Sequence, residues 1–116
     1  MSSSSAIPVV ASTARRYPDL RPGEVRCFLH ERLPRVAMRG EIDMTTEPQL
    51  TNAYRELAQL TPADVVLDLT EVTFFGCVAL QLMARLTARL SPTGHKLVIP
   101  SPSRPAQRLL ELAGFL

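Results

Sequence analysis

The spacing of apolar residues changes several times along the chain, and each change marks an element. Val25 to His30 alternates, with Val25, Cys27 and Leu29 on one side and Arg26, Phe28 and His30 on the other. A period of two is that of a strand. Arg35 to Ile42 reads as a second strand, and the Leu33-Pro34 region turns the chain between them, which predicts an antiparallel hairpin at a sheet edge. Val65 to Leu69 is β-branched and almost continuously apolar, the signature of a strand covered on both faces. From Val78 the period becomes helical: Val78, Leu82, Leu86 and Leu90 recur with Ala79 and Met83 beside them, so a buried strand passes through a tight Gly76-Cys77 junction into an amphipathic helix.

The remaining elements follow from stops and caps. Thr46 followed three residues later by Gln49 suggests a capping box, and Pro48 sits in the first turn, where a missing N–H costs nothing. Leu50, Ala53, Tyr54 and Leu57 mark the apolar stripe of that helix, which Pro62 ends. Pro92 and Gly94 break the chain after Leu90, His95 to Ile99 reads as a short strand, and Pro100 closes it. Leu109, Leu112 and Ala113 define one face of a last helix, with Gly114 placed to cap it. The order is β-β-α-β-α-β-α. It predicts an α/β fold: a small mixed sheet, parallel beyond its N-terminal hairpin, with helices packed on it. Residues 1–23 hold a Ser run and three prolines without periodicity and read as a mobile tail before a single domain at 24–116.

Composition narrows the function classes. A chain of 116 residues with 46% apolar content and no Trp is one ordinary globular domain. No apolar run approaches the roughly 20 residues of a membrane helix, and the N-terminus lacks the basic flank of a secretory signal, so a cytoplasmic address without membrane insertion is the expectation. Cys27 and Cys77 lie far apart and in no metal-ligand spacing, so free thiols are expected and no metal or cofactor is implied. The net charge of +2 hides an uneven distribution. Residues 15–39 carry seven Arg against three acids, residues 40–84 carry Arg55 alone against seven acids, and residues 85–116 carry five Lys or Arg against Glu111. Such blocks either steer a charged protein partner or are simply solvated faces. Without an Arg cluster interleaved with aromatics, nucleic acid is not an expected partner.

Candidate chemistry gathers at the junction, because the start of a helix presents free backbone N–H groups and positive dipole character. What stands there is a glycine and a thiol. Cys77 reads either as a redox-responsive thiol or as a small filler the size of serine; the lack of an adjacent cationic side chain favours the filler. Gly76 reads as a turn residue with positive φ. Asp43 is a turn or cap residue or part of a binding face. His30 and His95 flank strand boundaries without partners in a motif, Asp68 reads as structural, and Tyr54 as core packing. No His lies in a motif near Cys77, so a Cys-nucleophile enzyme is not expected.

Three segments in this order resemble the STAS domain, the fold of bacterial anti-sigma factor antagonists. Arg39-Gly-Glu-Ile-Asp-Met-Thr-Thr-Glu-Pro-Gln-Leu50 is similar to the family's G-E-[LI]-D and Thr- or Ala-rich helix start. Val65 to Leu80 resembles its strand, loop and D-S-[ST]-G-[LV] junction, and Arg108-Leu-Leu-Glu-Leu-Ala-Gly114 its closing helix. The resemblance spans residues 25–116, and in the family the chain often continues past this point, which leaves room for a missing terminal element. It implies a STAS-like fold and a protein-binding module without catalytic residues. In the family, the first Ser of the junction is phosphorylated by a partner that is both kinase and anti-sigma factor, and phosphorylation blocks the complex. Position by position, the Asp falls on Gly76, the phosphoacceptor Ser on Cys77, the next Ser or Thr on Val78 and the Gly on Ala79. All four differ, and nothing marks the nearby Thr70 or Thr73 as a substitute.

The resemblance therefore implies an antagonist-like protein that engages an anti-sigma factor of the Ser/Thr kinase ATPase-fold type, regulates transcription and lacks the usual switch. Its expected binding residues are Asp43, Thr45, Thr46, Phe75, Gly76, Cys77, Val78 and Ala79, with Cys77 as the degenerate phosphoacceptor position and a homodimer as one arrangement. The alternative is a scaffold or accessory STAS subunit of a stressosome-like or transporter complex.

Overall fold

The computed structural model describes residues 21–116. Most of the expected tail, residues 1–20, lies outside the described residues. Among the described residues four strands form one sheet: β1 (Glu24–Phe28), β2 (Arg35–Ile42), β3 (Val65–Phe75) and β4 (Leu97–Val98). They lie in the order β1-β2-β3-β4. β1 and β2 are an antiparallel hairpin, while β2–β3 and β3–β4 are parallel. The parallel pairs require crossovers, supplied by α1 (Glu47–Ala58) and α2 (Cys77–Leu90), and α3 (Arg104–Leu112) closes the chain.

A single core joins these elements. Val36, Met38 and Ile42 of β2 and Val65, Leu67, Leu69, Val72 and Phe75 of β3 meet Leu50, Ala53 and Leu57 of α1. Ala79, Leu82, Met83, Leu86 and Leu90 of α2 and Ala106 and Leu110 of α3 complete it. The stripes of α1 and α2 are those read from the sequence, with Tyr54 and Val78 only partly buried at the edge. The Tyr54 ring lies under the Arg85 guanidinium, 4.0 Å from its centroid. Arg89 reaches across to the end of α1, where its Nη2 donates to the carbonyls of Ala58 and Leu60. A cation at a helix C-terminus satisfies carbonyls that the helix itself leaves open.

Four features depart from the sequence reading. β3 does not stop at Leu69 but runs on to Phe75. Its pairing with β2 slips between Ala37 and Arg39 and again between Gly40 and Glu41, each time with one extra residue on β3. These bulges convert an alternating pattern into buried positions at 65, 67, 69, 72 and 75, so a period of two fails although the strand continues. Gly40, at φ +76°, stands at the second slip, a conformation in which only glycine carries no Cβ penalty.

The final strand is shorter than expected. Only Leu97 and Val98 pair with β3, opposite Val65 and Val66, and Pro100 cannot donate to a ladder. The helix start is also built differently: Thr46 makes no side-chain cap for α1. Gln49 instead reaches back to β1, where its Oε1 accepts from the Val25 N–H (2.8 Å) and its Nε2 donates to the Gly23 carbonyl (3.2 Å). On α3 the buried positions are Ala106 and Leu110, whereas Leu112 is 81% exposed. Gly114 does cap α3: its N–H donates to Glu111 and that of Phe115 to Leu110, the paired bonds of a Schellman motif.

The chain bordering β1 is held from Arg21 onward. The Glu41 N–H donates to the Arg21 carbonyl at 3.0 Å, and Pro22 forms a bridge with Glu41. Arg21 and Pro22 thus join β2 ahead of β1 itself.

One face of the sheet carries the charges. Glu24, Arg39 and Glu71 stand side by side across β1, β2 and β3. Arg39 lies 3.7 Å from Glu24 and 3.6 Å from Glu71, and Arg35 lies 3.5 Å from Asp68. Arg35 and Arg39 of the basic N-terminal block and Asp68 and Glu71 of the acidic middle therefore answer one another within the fold. Half-exposed pairs of this kind contribute little stability, about 0–1 kcal/mol each, so the sheet is held by its other face. Replacing Leu67, which is fully buried, by Ala is expected to cost about 2–5 kcal/mol in urea unfolding, whereas Arg39→Ala should cost under about 1 kcal/mol.

At the start of β3, Asp64 Oδ1 accepts from the Lys96 N–H (3.1 Å) and lies 3.2 Å from His95 Nδ1. The Lys96 backbone bond, then the His95 contact, hold the Asp64 carboxyl below the usual carboxylate range. A depressed carboxylate pKa stabilises the fold above the unfolded-state value, near about 4, and the effect is lost as pH falls through the lower folded value. Asp64→Asn is therefore expected to be less stable than the parent at neutral pH. Thermal melts across the acid range should show that difference shrinking below about pH 4.

Candidate functional site

The site is built where β2 and β3 end together. Ile42 pairs with Phe75, and the Gly76 N–H donates to the Ile42 carbonyl at 2.8 Å. The turn after β2 and the first turn of α2 are thereby fastened side by side. The turn is a short 3-10 helix, Met44–Thr46, capped by Asp43. One Asp43 oxygen accepts from the Thr45 N–H (3.0 Å) and from the Thr45 hydroxyl (2.6 Å). In return the Asp43 N–H donates to Thr46 Oγ1, whose hydroxyl donates to the Glu41 carbonyl, both at 3.3 Å. This reciprocal arrangement is a capping box, three residues upstream of the one read from the sequence.

Gly76 is the N-cap of α2, and no side chain caps the helix. Its backbone is extended, at φ −89° and ψ 173°, so the expected positive φ is corrected. Glycine is wanted here for close approach. A Cβ at this position would sit 3.0 Å from the Ile42 carbonyl oxygen and 3.2 Å from the Phe74 ring. The Phe74 ring thus occupies space that a side chain at 76, such as the Asp of the resembling motif, would claim.

The eight expected binding residues divide by exposure. Thr45 and Cys77 are exposed, and Asp43, Gly76 and Val78 are half-buried. Thr46, Phe75 and Ala79 are buried in the core, so they shape the surface from beneath instead of forming it. Two exposed residues were missed: Met44 on the capped turn and Phe74 before the junction, 81% and 51% exposed. Alternation back from Phe75 places Phe74 outward, a signal present in the chain. Met44 has none, because the 3-10 turn that presents it depends on the Asp43 bonds.

The two thiols are free and differ in setting. Burial, then the neighbouring Glu56 carboxylate, push the Cys27 thiol up to about 11. Cys27 lines an open concavity of about 410 Å³ between β1 and α1, with Gln49, Asn52 and Glu56; it shares no residue with the junction. Among the described residues no group of three His, Cys, Asp or Glu side chains could hold a metal ion. No helix among them is long and apolar enough to cross a membrane. His95 is engaged with Asp64 at 3.2 Å.

The fold defines a small domain of the STAS type, and comparison with known proteins agrees. The family model described as "Mlab, STAS domain" matches residues 29–115. An anti-sigma factor antagonist from Mycobacterium paratuberculosis is 31% identical, with a TM-score of 0.65 over 84% of this chain and 81% of that one. The anti-sigma factor antagonist SpoIIAA in its unphosphorylated form shares the fold at 13% identity, with a TM-score of 0.68 over 78% and 81% of the two chains. No curated protein matches. The chain belongs to the STAS domain family of anti-sigma factor antagonists.

Thiol labelling tests the placement of the cysteines. Cys77 is expected to react with an aromatic disulfide reagent at neutral pH. Cys27 should react only as pH is raised toward 11 or on unfolding, because the thiolate is the attacking form. Cys77→Ser should leave a single slow thiol.

Proposed function

We propose that the chain is an anti-sigma factor antagonist-like binding module. It engages an anti-sigma factor of the Ser/Thr kinase ATPase-fold type in a bacterial cytoplasm and so regulates transcription. The observation that carries the reading is the fastening of the Asp43–Thr46 turn to the uncapped start of α2 by the Gly76–Ile42 bond. The kinship with an antagonist over most of the chain supports it. Contact would be made by Thr45, Cys77, Val78 and the half-buried Asp43, with Met44 and Phe74 adding apolar area. Apolar anchors supply affinity while charge tunes the encounter.

Position 77 carries a thiol, which an ordinary serine kinase does not phosphorylate, so binding is constitutive where the family pattern has a phosphate-controlled complex. The cognate kinase with ATP should leave the junction unmodified in intact-mass and peptide spectra. Phosphate on Thr70, Thr73 or Cys77 would sink the unswitched reading. Cys77→Ser should still bind and gain a phosphate, whereas Cys77→Glu, which places a negative charge where phosphate would sit, should weaken binding about tenfold or more.

The second reading is a scaffold or accessory STAS subunit of a stressosome-like or transporter complex. Light scattering separates the two. A large stable assembly would favour the accessory role, and a monomer or dimer the antagonist.

A further inference from the structure

β4 covers only the first two residues of β3, so among the described residues no strand lies on that side from Leu69 to Phe75. α3 stands there instead, tied at its start by the Ser103 N–H donating to the Leu69 carbonyl at 3.1 Å. Between the end of β3 and α3 runs a groove of about 360 Å³. Phe74, Phe75, Leu109 and Leu112 give it an apolar lining. The half-exposed Phe74 and the 81% exposed Leu112 are among the large apolar side chains that the fold leaves uncovered.

Arg104 and Arg108 also line this groove, one helical turn apart and both exposed. Among the described residues neither has a carboxylate within ion-pair distance. The acid on the same helix, Glu111, accepts a hydrogen bond from Gln107 instead. The arginines of the sheet face, by contrast, are answered by Glu24, Asp68 and Glu71. An apolar channel edged by two unanswered cations complements a helix with an apolar stripe and flanking carboxylates. A second copy docked about a two-fold axis would bring the unanswered arginines of both copies into one small interface, which opposes self-pairing.

We propose that this groove docks an amphipathic, acidic helix of a partner protein, on a surface that adjoins that of Cys77 at Phe74 and is otherwise built from α3. The occupant places apolar side chains at i, i+3 or i+4 and i+7 between Phe74 and Leu112, and its carboxylates meet Arg104 and Arg108. The groove extends the family's protein-binding role to a second contact, and it stands whether or not the Cys77 surface binds an anti-sigma factor.

The test is selection of a displayed library of random helical peptides on the full chain under reducing conditions. Enriched peptides should combine that apolar spacing with Asp or Glu, and their binding, read by fluorescence anisotropy, should weaken with added salt. The double variant Arg104→Glu/Arg108→Glu, and Leu112→Asp separately, should each reduce affinity about tenfold or more. All three positions are exposed, so unfolding midpoints should stay near that of the parent. Cys77→Glu should leave this binding unchanged, which separates a failure here from a failure at the junction. The proposal is overturned by enriched peptides that lack acids, by binding indifferent to the α3 substitutions, or by a library that yields nothing. Arg104- and Arg108-dependent pelleting with phosphatidylglycerol vesicles in place of peptide binding would assign the groove to a lipid surface. Self-association abolished by Leu112→Asp would assign it to a second copy.

Discussion

The parallel pairing of β2 with β3 is the contact on which the rest of the molecule depends. It lies at the centre of the sheet, carries eight of the core side chains on its buried face, and ends with the Gly76 N–H donating to the Ile42 carbonyl. Because both strands point the same way, their C-terminal ends arrive together, and so do the segments that leave them. One segment turns through Asp43–Thr46 into α1 and the other passes through Gly76 into α2. In open α/β sheets, the carboxyl ends of parallel strands are where binding surfaces form, since the chain there is free to vary while the strands hold it in place. The candidate surface of this protein is such a place.

Two small residues make that convergence tight. Thr46 is buried with its hydroxyl spanning the Asp43 N–H and the Glu41 carbonyl, so a polar group in the core is satisfied in both its donor and acceptor roles. Gly76 lacks the Cβ that would press on the Ile42 carbonyl and the Phe74 ring. The surface therefore presents an aromatic ring and a thiol beside an uncapped helix start, where the family's motif would present a carboxylate and a hydroxyl. The same missing Cβ helps set Phe74 at the mouth of the α3 groove, so the two proposed surfaces share one residue while their remaining side chains are distinct.

Charge follows from the same topology. Part of the basic block before residue 40 and part of the acidic block after it face one another across β1, β2 and β3, and there Glu24, Arg35, Arg39, Asp68 and Glu71 pair. Of the two sequence readings for these blocks, the solvated face accounts for this part. The basic C-terminal block has no such answer on α3, where Arg104 and Arg108 remain unpaired among the described residues. Linear charge counts could not separate the two, because the separation depends on which residues the sheet register sets opposite one another.

The sequence by itself determined the element order, the hairpin, the parallel crossovers, the stripes of α1 and α2 and the location of the junction. Each rests on local period or on Gly and Pro stops, which are properties of neighbouring residues. Only the tertiary structure decided the rest. β3 outruns its own alternation because two bulges, set by pairing with β2, change which residues face inward. Leu112 points to solvent while Ala106 and Leu110 are buried, because the spacing allows several faces and contact with β3 selects one. Gln49 serves β1 and Asp43 caps the turn, choices among polar partners that only proximity in space makes. Half of the site was legible for the same reason: the chain names the junction, but exposure of Phe74 and Met44 and burial of Thr46, Phe75 and Ala79 are consequences of what packs against them.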